Sequence, residues 1–115
     1  SDAYVGGIDI DIWLVEAYLH RMGMSRHEVG EVGWQNLLEI AETLKLRLSR
    51  APEASESWFD DEHFVAHELH FSRSQFDEIL EQRQLLEQLR QALDEVLMIA
   101  IGKGISKPEI AQVLL

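Results

Sequence analysis

The sequence predicts an α+β fold in which several helices pack against a small antiparallel sheet. Three stretches repeat apolar residues at the spacing of amphipathic helices. Before the third of these stretches, aromatic and β-branched residues lie on both sides of an acidic break, which is typical of a hairpin. The chain has 115 residues and is 46% hydrophobic. This is enough for a single subdomain, residues 1–115, with a core of its own.

The first predicted helix runs from about Asp9 to Met22. Its apolar residues recur with the i, i+3, i+4, i+7, i+8 spacing of one helix face, and they are Ile10, Trp13, Leu14, Ala17 and Tyr18. Asp9 lies where an acid favours the unpaired N–H groups of a helix start. Gly23 is expected to end the helix.

A loop is predicted over Met24 to Gly33, and residues Ser25 to Val29 within it could form a short helix. This stretch is rich in acids, glycine and serine and has little periodicity. The second helix is expected from about Gly33 to Ser49, where apolar residues return at helical spacing. Pro52 would stop it.

The segment SESWFDDEHFVAHELHFS, residues 55–72, predicts an antiparallel hairpin that turns at its acidic centre. Residues 63–71 also fit a short helix. Ser72 to Gln75 reads as a capping box and opens nearly 30 residues of helical spacing, with a kink or break expected at Arg83 to Leu86. Gly102 and Gly104 would end this third helix.

The last residues of the sequence predict a strand. A second capping box at Ser106 to Glu109 leads into three aliphatic residues, Val113 to Leu115. Chain ends are usually polar and frayed, so this ending predicts a buried strand that belongs to a larger protein. In an isolated fragment, such an apolar terminus would be an exposed edge and would favour dimerisation.

The charge of the chain excludes several classes of function. The 21 acidic and 10 basic residues give a net charge of −11, which opposes nucleic-acid binding and argues against a helix-turn-helix in residues 105–115. No apolar run approaches the ~20 residues of a membrane span, and no signal-peptide pattern is present at the start. Cysteine is absent, which is compatible with a reducing compartment, and we expect a cytoplasmic location.

One polar ridge on the second predicted helix could bind a small ligand. At ~100° per residue, Glu42, Lys45 and Ser49 cluster within roughly 60°, and Leu46 lies on the same side. Carboxylate and ammonium groups could bind sugar hydroxyls while Leu46 packs on a ring. Spacing alone favours the alternative, a solvated helix face with an i, i+3 ion pair.

A pair of glycines precedes the first predicted helix. Gly6 and Gly7 would let a ligand approach the backbone closely, and a helix start favours anions. An ordinary turn into a helix explains the same residues, and the double glycine alone favours that explanation.

Four blocks, taken in order, resemble lobe II of the ATPase domain of DnaK-type 70-kDa heat-shock chaperones. The first is GGIDID, residues 6–11, and the second is LLEIAETLKLRLS, residues 37–49, which matches the family pattern A-E-x-x-K-x-x-L-S. A hairpin follows, and then a helix opened by Ser72 and Arg73 and continued by Phe76, Asp77 and Glu78. Ile110, Val113 and Leu115 resemble the strand that leads into the family's glycine-rich adenosine loop.

The resemblance implies a subdomain excised from an actin-like ATPase domain that serves protein folding under stress. It implies ATP or ADP as the ligand, with Mg²⁺ in the parent protein. Glu42 and Lys45 would contact the ribose and Ser49 the adenine, Leu46 would line the adenine site, and Gly6 and Gly7 would approach the nucleotide. The implied partners are the remaining lobes of the parent ATPase domain and a nucleotide-exchange factor.

Catalysis is not expected of this fragment alone. Phosphoryl transfer needs cation and backbone clamps around the γ-phosphate, and the family's clamps belong to segments other than this one. The alternative function is a stand-alone acidic helical module that binds another protein and no nucleotide.

Two further patterns carry alternatives of their own. His63, His67 and His70 could bind zinc if they shared a helix face, but a partly exposed hairpin is favoured, and we expect no metal site. The run from Glu81 to Glu95 covers about two heptads, fewer than a coiled coil needs, which favours packing in the core.

Overall fold

The computed structural model describes residues 7–104. The first helix, α1, spans Gly7–Met22 and carries Asp9 in its first turn. It ends as expected at Gly23, whose φ of 69° lies in the left-handed region that favours glycine. The amide of Met24 closes the turn on the carbonyl of Leu19 at 2.9 Å. The helix predicted from Asp9 to Met22 is therefore confirmed, and it begins two residues earlier than expected, at Gly7.

The second helix, α2, spans Arg26–Leu48, so the loop predicted over Met24 to Gly33 is wrong in its extent, whereas the short helix allowed around Ser25 to Val29 is confirmed. Ser25 caps the helix and forms both hydrogen bonds of a capping box with Glu28. This local signal for a helix start was overlooked because the stretch is rich in acids, glycine and serine. The only non-helical backbone inside α2 is at Gly30, with φ 74° and ψ 172°. This conformation is nearly restricted to glycine, and Gly30 makes a kink that separates the first turn of α2 from the longer helical part that follows.

The hairpin is confirmed, and the short-helix alternative for residues 63–71 is wrong. Strand β1 spans Glu53–Asp60 and pairs antiparallel with β2, Val65–Ser72. The register sets Trp58 opposite His67. Strand residues alternate between the inner face, which is packed on the helices, and an outer face in solvent.

The core lies between α1, α2 and the inner face of the hairpin. The largest of its fully buried apolar side chains come from all three, and they are Leu14, Val15, Tyr18, Val29, Leu37, Leu44, Leu48, Leu69 and Phe71. Phe76 and Ile79, from the first turns of the third helix, pack against this cluster. The predicted α+β class, helices on a small antiparallel sheet, is therefore confirmed.

The third helix, α3, spans Arg73–Gly102 and runs through Arg83 to Leu86, where a break was expected. Its capping box is confirmed: the Ser72 amide donates to Gln75 Oε1 at 2.9 Å, and the Gln75 amide donates to Ser72 Oγ at 3.1 Å. Of the described residues, 7–82 belong to one compact unit and 83–104 belong to another.

The core packing expected for Glu81 to Glu95 is not found. Within this run, Leu85, Leu86, Leu89 and Leu93 are all exposed, by 42% to 66%. The helical periodicity is genuine, but these four side chains remain open to solvent. The expected strand at Val113 to Leu115, and the dimerisation assigned to that apolar terminus, lie outside the described residues.

Candidate functional site

Lys45 joins the two helices of the first unit. Its Nζ lies 3.0 Å from Asp11 Oδ1 and donates to the carbonyl oxygen of Gly7 at 3.3 Å. Lys45 and Gly7 are 38 residues apart in the sequence. The packing of α1 on α2 therefore brings two of the predicted site residues together.

Asp11 is a site residue that the sequence reasoning missed. Its side chain is 8% exposed, and no donor among residues 7–104 is aligned for a hydrogen bond to Oδ1. The carboxylate is therefore held by its ion pair with Lys45. The available signal was its position, since Asp11 shares a helix face with Leu14, Val15 and Tyr18, and an acid within a buried stripe needs a cationic partner.

Gly7 lets the ammonium of Lys45 approach the backbone closely. A Cβ built on Gly7 would lie 3.2 Å from Lys45 Nζ, which is tighter than ordinary packing. The carbonyl of Gly7 is at the start of α1, so the ammonium is fixed beside the helix terminus. Gly6, the other predicted glycine, lies outside the described residues.

The remaining predicted residues lie further along α2 and stay open to solvent. Glu42 and Ser49 are exposed, and Leu46 is 60% exposed. The hydroxyl of Ser49 donates to the carbonyl of Leu46 at 2.6 Å, which fixes it at the end of the helix. Leu46 thus contributes an exposed apolar side chain, and Ser49 contributes a hydroxyl group to the same surface.

A shallow concavity of about 230 Å³ adjoins this end of α2. Leu46, Ser49 and two arginines, Arg47 and Arg50, line it. Arg47 is tied to β1 through the carbonyl of Ser55, at 2.6 Å, and through Glu56. Arg50 is exposed, and its planar guanidinium could stack on an aromatic ring. The sequence reasoning did not single out Arg50.

The three hairpin histidines make separate contacts. His63 Nδ1 donates to Asp60 Oδ2 at 2.7 Å, and His70 Nδ1 is 2.7 Å from Ser55 Oγ. The His67 ring stacks on Trp58 with centroids 5.1 Å apart. Within residues 7–104, no group of three or more acidic or histidine side chains is arranged to hold a metal ion.

Asp60 anchors the hairpin turn with a buried carboxylate that is 2% exposed. Burial alone would raise the pKa of this carboxyl. Hydrogen bonds from the His63 ring and from the amides of His63 and Glu62, with the charge of His63, outweigh burial and lower the pKa below its usual 3.8. The hydrogen bonds of Asp60 with Glu62 and His63 therefore order the hairpin turn.

No protein-family model matches the chain, and no curated protein sequence matches it significantly. Of the helices described in residues 7–104, none combines the length and the apolar character needed to cross a membrane.

Proposed function

We propose that this chain is the adenosine-facing subdomain of a DnaK-type heat-shock chaperone ATPase, located in the cytoplasm. It would line one side of a nucleotide cleft and move with nucleotide state, while the remaining lobes of the parent domain hold the phosphates and Mg²⁺. The single observation that carries the proposal is the contact of Lys45 with Gly7 and Asp11. This contact joins the two motifs that suggested a nucleotide, residues 6–11 and 37–49, which lie far apart in the sequence.

The role of Lys45 follows from its fixed position. Because Asp11 and the Gly7 carbonyl hold the ammonium, little side-chain entropy remains to be lost when a ligand binds. A sugar with vicinal hydroxyls could accept a hydrogen bond from Lys45 and donate one to the Glu42 carboxylate. Ribose has this pattern of groups.

The base would lie toward the end of α2. Leu46 offers an apolar surface for one face of a planar ring, and the Ser49 oxygen can still accept a hydrogen bond. The exposed Arg50 could stack on the ring. We propose that the chain binds ATP or ADP weakly and does not hydrolyse ATP by itself, because it supplies one side of the cleft only.

The test is a titration of the isotope-labelled chain with ADP, followed by NMR chemical shifts. We expect the amide signals of residues 42–50, at the end of α2 and just beyond it, to move, with a dissociation constant in the millimolar range, about 4 kcal/mol of binding free energy. Glu42→Ala with Lys45→Ala should abolish the movement. Lys45→Ala also leaves the buried carboxylate of Asp11 without its cationic partner. Glu42→Gln with Ser49→Ala is therefore a milder second variant, because it keeps this ion pair.

The matched control removes the same charges elsewhere, by Glu68→Ala with Lys103→Ala, both of which are exposed. This control should titrate like the wild type. The proposal fails if the wild-type α2 signals do not move, or if they still move in both site variants.

A second candidate function is a module that binds another protein and no nucleotide. The observation in its favour is the set of exposed apolar side chains on α3, since soluble proteins rarely leave such a set uncovered. Unchanged α2 signals in the ADP titration would favour this candidate.

A further inference from the structure

From Leu85 onward, α3 carries a wide surface of exposed apolar side chains. Six large side chains form this surface, and each is between 42% and 66% exposed. We call them the α3 apolar face: Leu85, Leu86, Leu89, Leu93, Val96 and Ile99. Their exposed area is on the order of 500 Å², near the upper end of what a monomer leaves uncovered.

The spacing within the α3 apolar face indicates a helix as its partner. Leu86, Leu89, Leu93 and Val96 alternate steps of three and four residues, which is the a/d pattern of paired helices. Leu85 and Ile99 flank this row on one side. At ~100° per residue, all six fall within roughly 140° of the helix circumference.

The charges beside the face do not select a charged partner. Arg90 is neutralised within its own helix by Glu87 and Asp94, each at 3.0 Å. The segment from Arg83 to Gly102 holds two basic and three acidic residues, a net charge of −1, whereas the whole chain carries −11. A face that is locally near neutral can meet its own copy with little repulsion, while the acidic remainder opposes close approach elsewhere.

We infer that two copies of this chain associate through the α3 apolar face. A symmetric pair presents the same face from both sides, so apolar surface meets apolar surface. Each copy would bury roughly 500 Å² of this face, which is below the ~800 Å² per partner of a standard interface. Two heptads are short, so the association should be weak and concentration-dependent. This inference does not depend on the proposed nucleotide site.

The test is sedimentation velocity on the 115-residue chain over a range of micromolar concentrations. The wild type should shift from the mass of one chain towards twice that mass as concentration rises. Leu89→Glu with Leu93→Glu should remain a monomer throughout. Both positions are exposed, so the fold should survive, and circular dichroism checks this.

Met98 provides a matched control on the same helix. It is 70% exposed and lies on the opposite side from the α3 apolar face. Met98→Glu should associate like the wild type. A wild type that stays monomeric throughout, or a Met98→Glu variant that is disrupted as strongly as the double variant, would overturn the inference.

Cross-linking gives a second readout, because the chain has no cysteine of its own. Leu93→Cys, at the middle of the face, should oxidise to a disulfide-linked dimer, and Met98→Cys should do so far more slowly. Equal rates for the two variants would contradict pairing through this face.

Discussion

Two regions of the chain have the same kind of sequence and opposite environments. In the unit up to Gln82, the apolar stripes of the helices are buried, with Leu14, Leu37 and Leu44 at 1% exposure or less. From Arg83 onward, α3 carries an equally regular stripe whose side chains remain exposed. The comparison teaches that periodicity specifies a helix and the apolar side of that helix, but not whether anything covers that side.

The first region buries its stripes because three elements converge on them. The hairpin contributes Leu69 and Phe71 to the same cluster as α1 and α2. Within residues 83–104 the second unit consists of α3 alone, and a single helix has no neighbouring element that could cover its apolar side. The following predictions test that contrast, in order of expected effect.

The largest difference is expected between two leucine-to-alanine substitutions. Leu37→Ala, at a fully buried site, should lower the free energy of unfolding by about 2 to 5 kcal/mol, because it removes packed atoms and leaves a cavity. Leu85→Ala, at a site that is 66% exposed, should change it by no more than about 0.5 kcal/mol. Urea unfolding of dilute protein measures both. Similar losses for the two variants would refute the contrast.

The buried carboxylate of the hairpin turn should give a pH-dependent effect. Asp60→Asn should cost about 2 kcal/mol at neutral pH, since it removes a hydrogen bond to an ionised acceptor. The folded-state pKa of Asp60 is below its unfolded value of 3.8, so this contribution is present above 3.8 and is lost as the pH falls through the folded value.

The measurement is unfolding of wild type and variant at several pH values, taken as a difference because other carboxyls titrate too. The gap between the two proteins should shrink on acidification. Asp61→Asn, at the exposed neighbouring position, is the control and should show almost no gap. A gap for Asp60→Asn that does not change down to about pH 2.5 would argue against the assigned role of this carboxylate.

Two glycines of α2 should respond with opposite signs. Gly30→Ala should destabilise the protein by about 1 to 3 kcal/mol, because its backbone conformation excludes a side chain and the new Cβ would lie 3.2 Å from Glu62 Oε1. Gly33→Ala meets only ordinary contacts at 3.5 Å and 3.6 Å, and should stabilise the helix by about 0.5 to 1 kcal/mol. Thermal unfolding of both variants compares them, and a stabilising Gly30→Ala would contradict the backbone explanation.

Much of the fold was predictable, because its signals are local. The end of α1 at Gly23, the hairpin and the capping box at Ser72 each depend on residues within a few positions of one another. The first turn of α2 was predicted only as an alternative to a loop, because Gly30 interrupts the spacing after one turn. The capping box at Ser25 and Glu28 was the local signal that could have corrected it.

The candidate site was predictable in part. Lys45, Glu42, Leu46 and Ser49 share one surface of a helix, and helical geometry alone gives that. The ion pair of Lys45 with Asp11 required α1 to pack on α2, because spacing within one helix carries no information about contacts with another.

By itself, the sequence determined the helices, the hairpin, the acidic charge and which side of each element is apolar. These follow from propensity, capping and periodicity, which act over one or two turns. The tertiary structure alone decided that Lys45 meets Gly7 and Asp11, that Asp60 is buried, and that the α3 apolar face lies open. Burial and long-range pairing depend on which surfaces meet when the chain collapses, and that choice is made by the whole packed core rather than by any one segment.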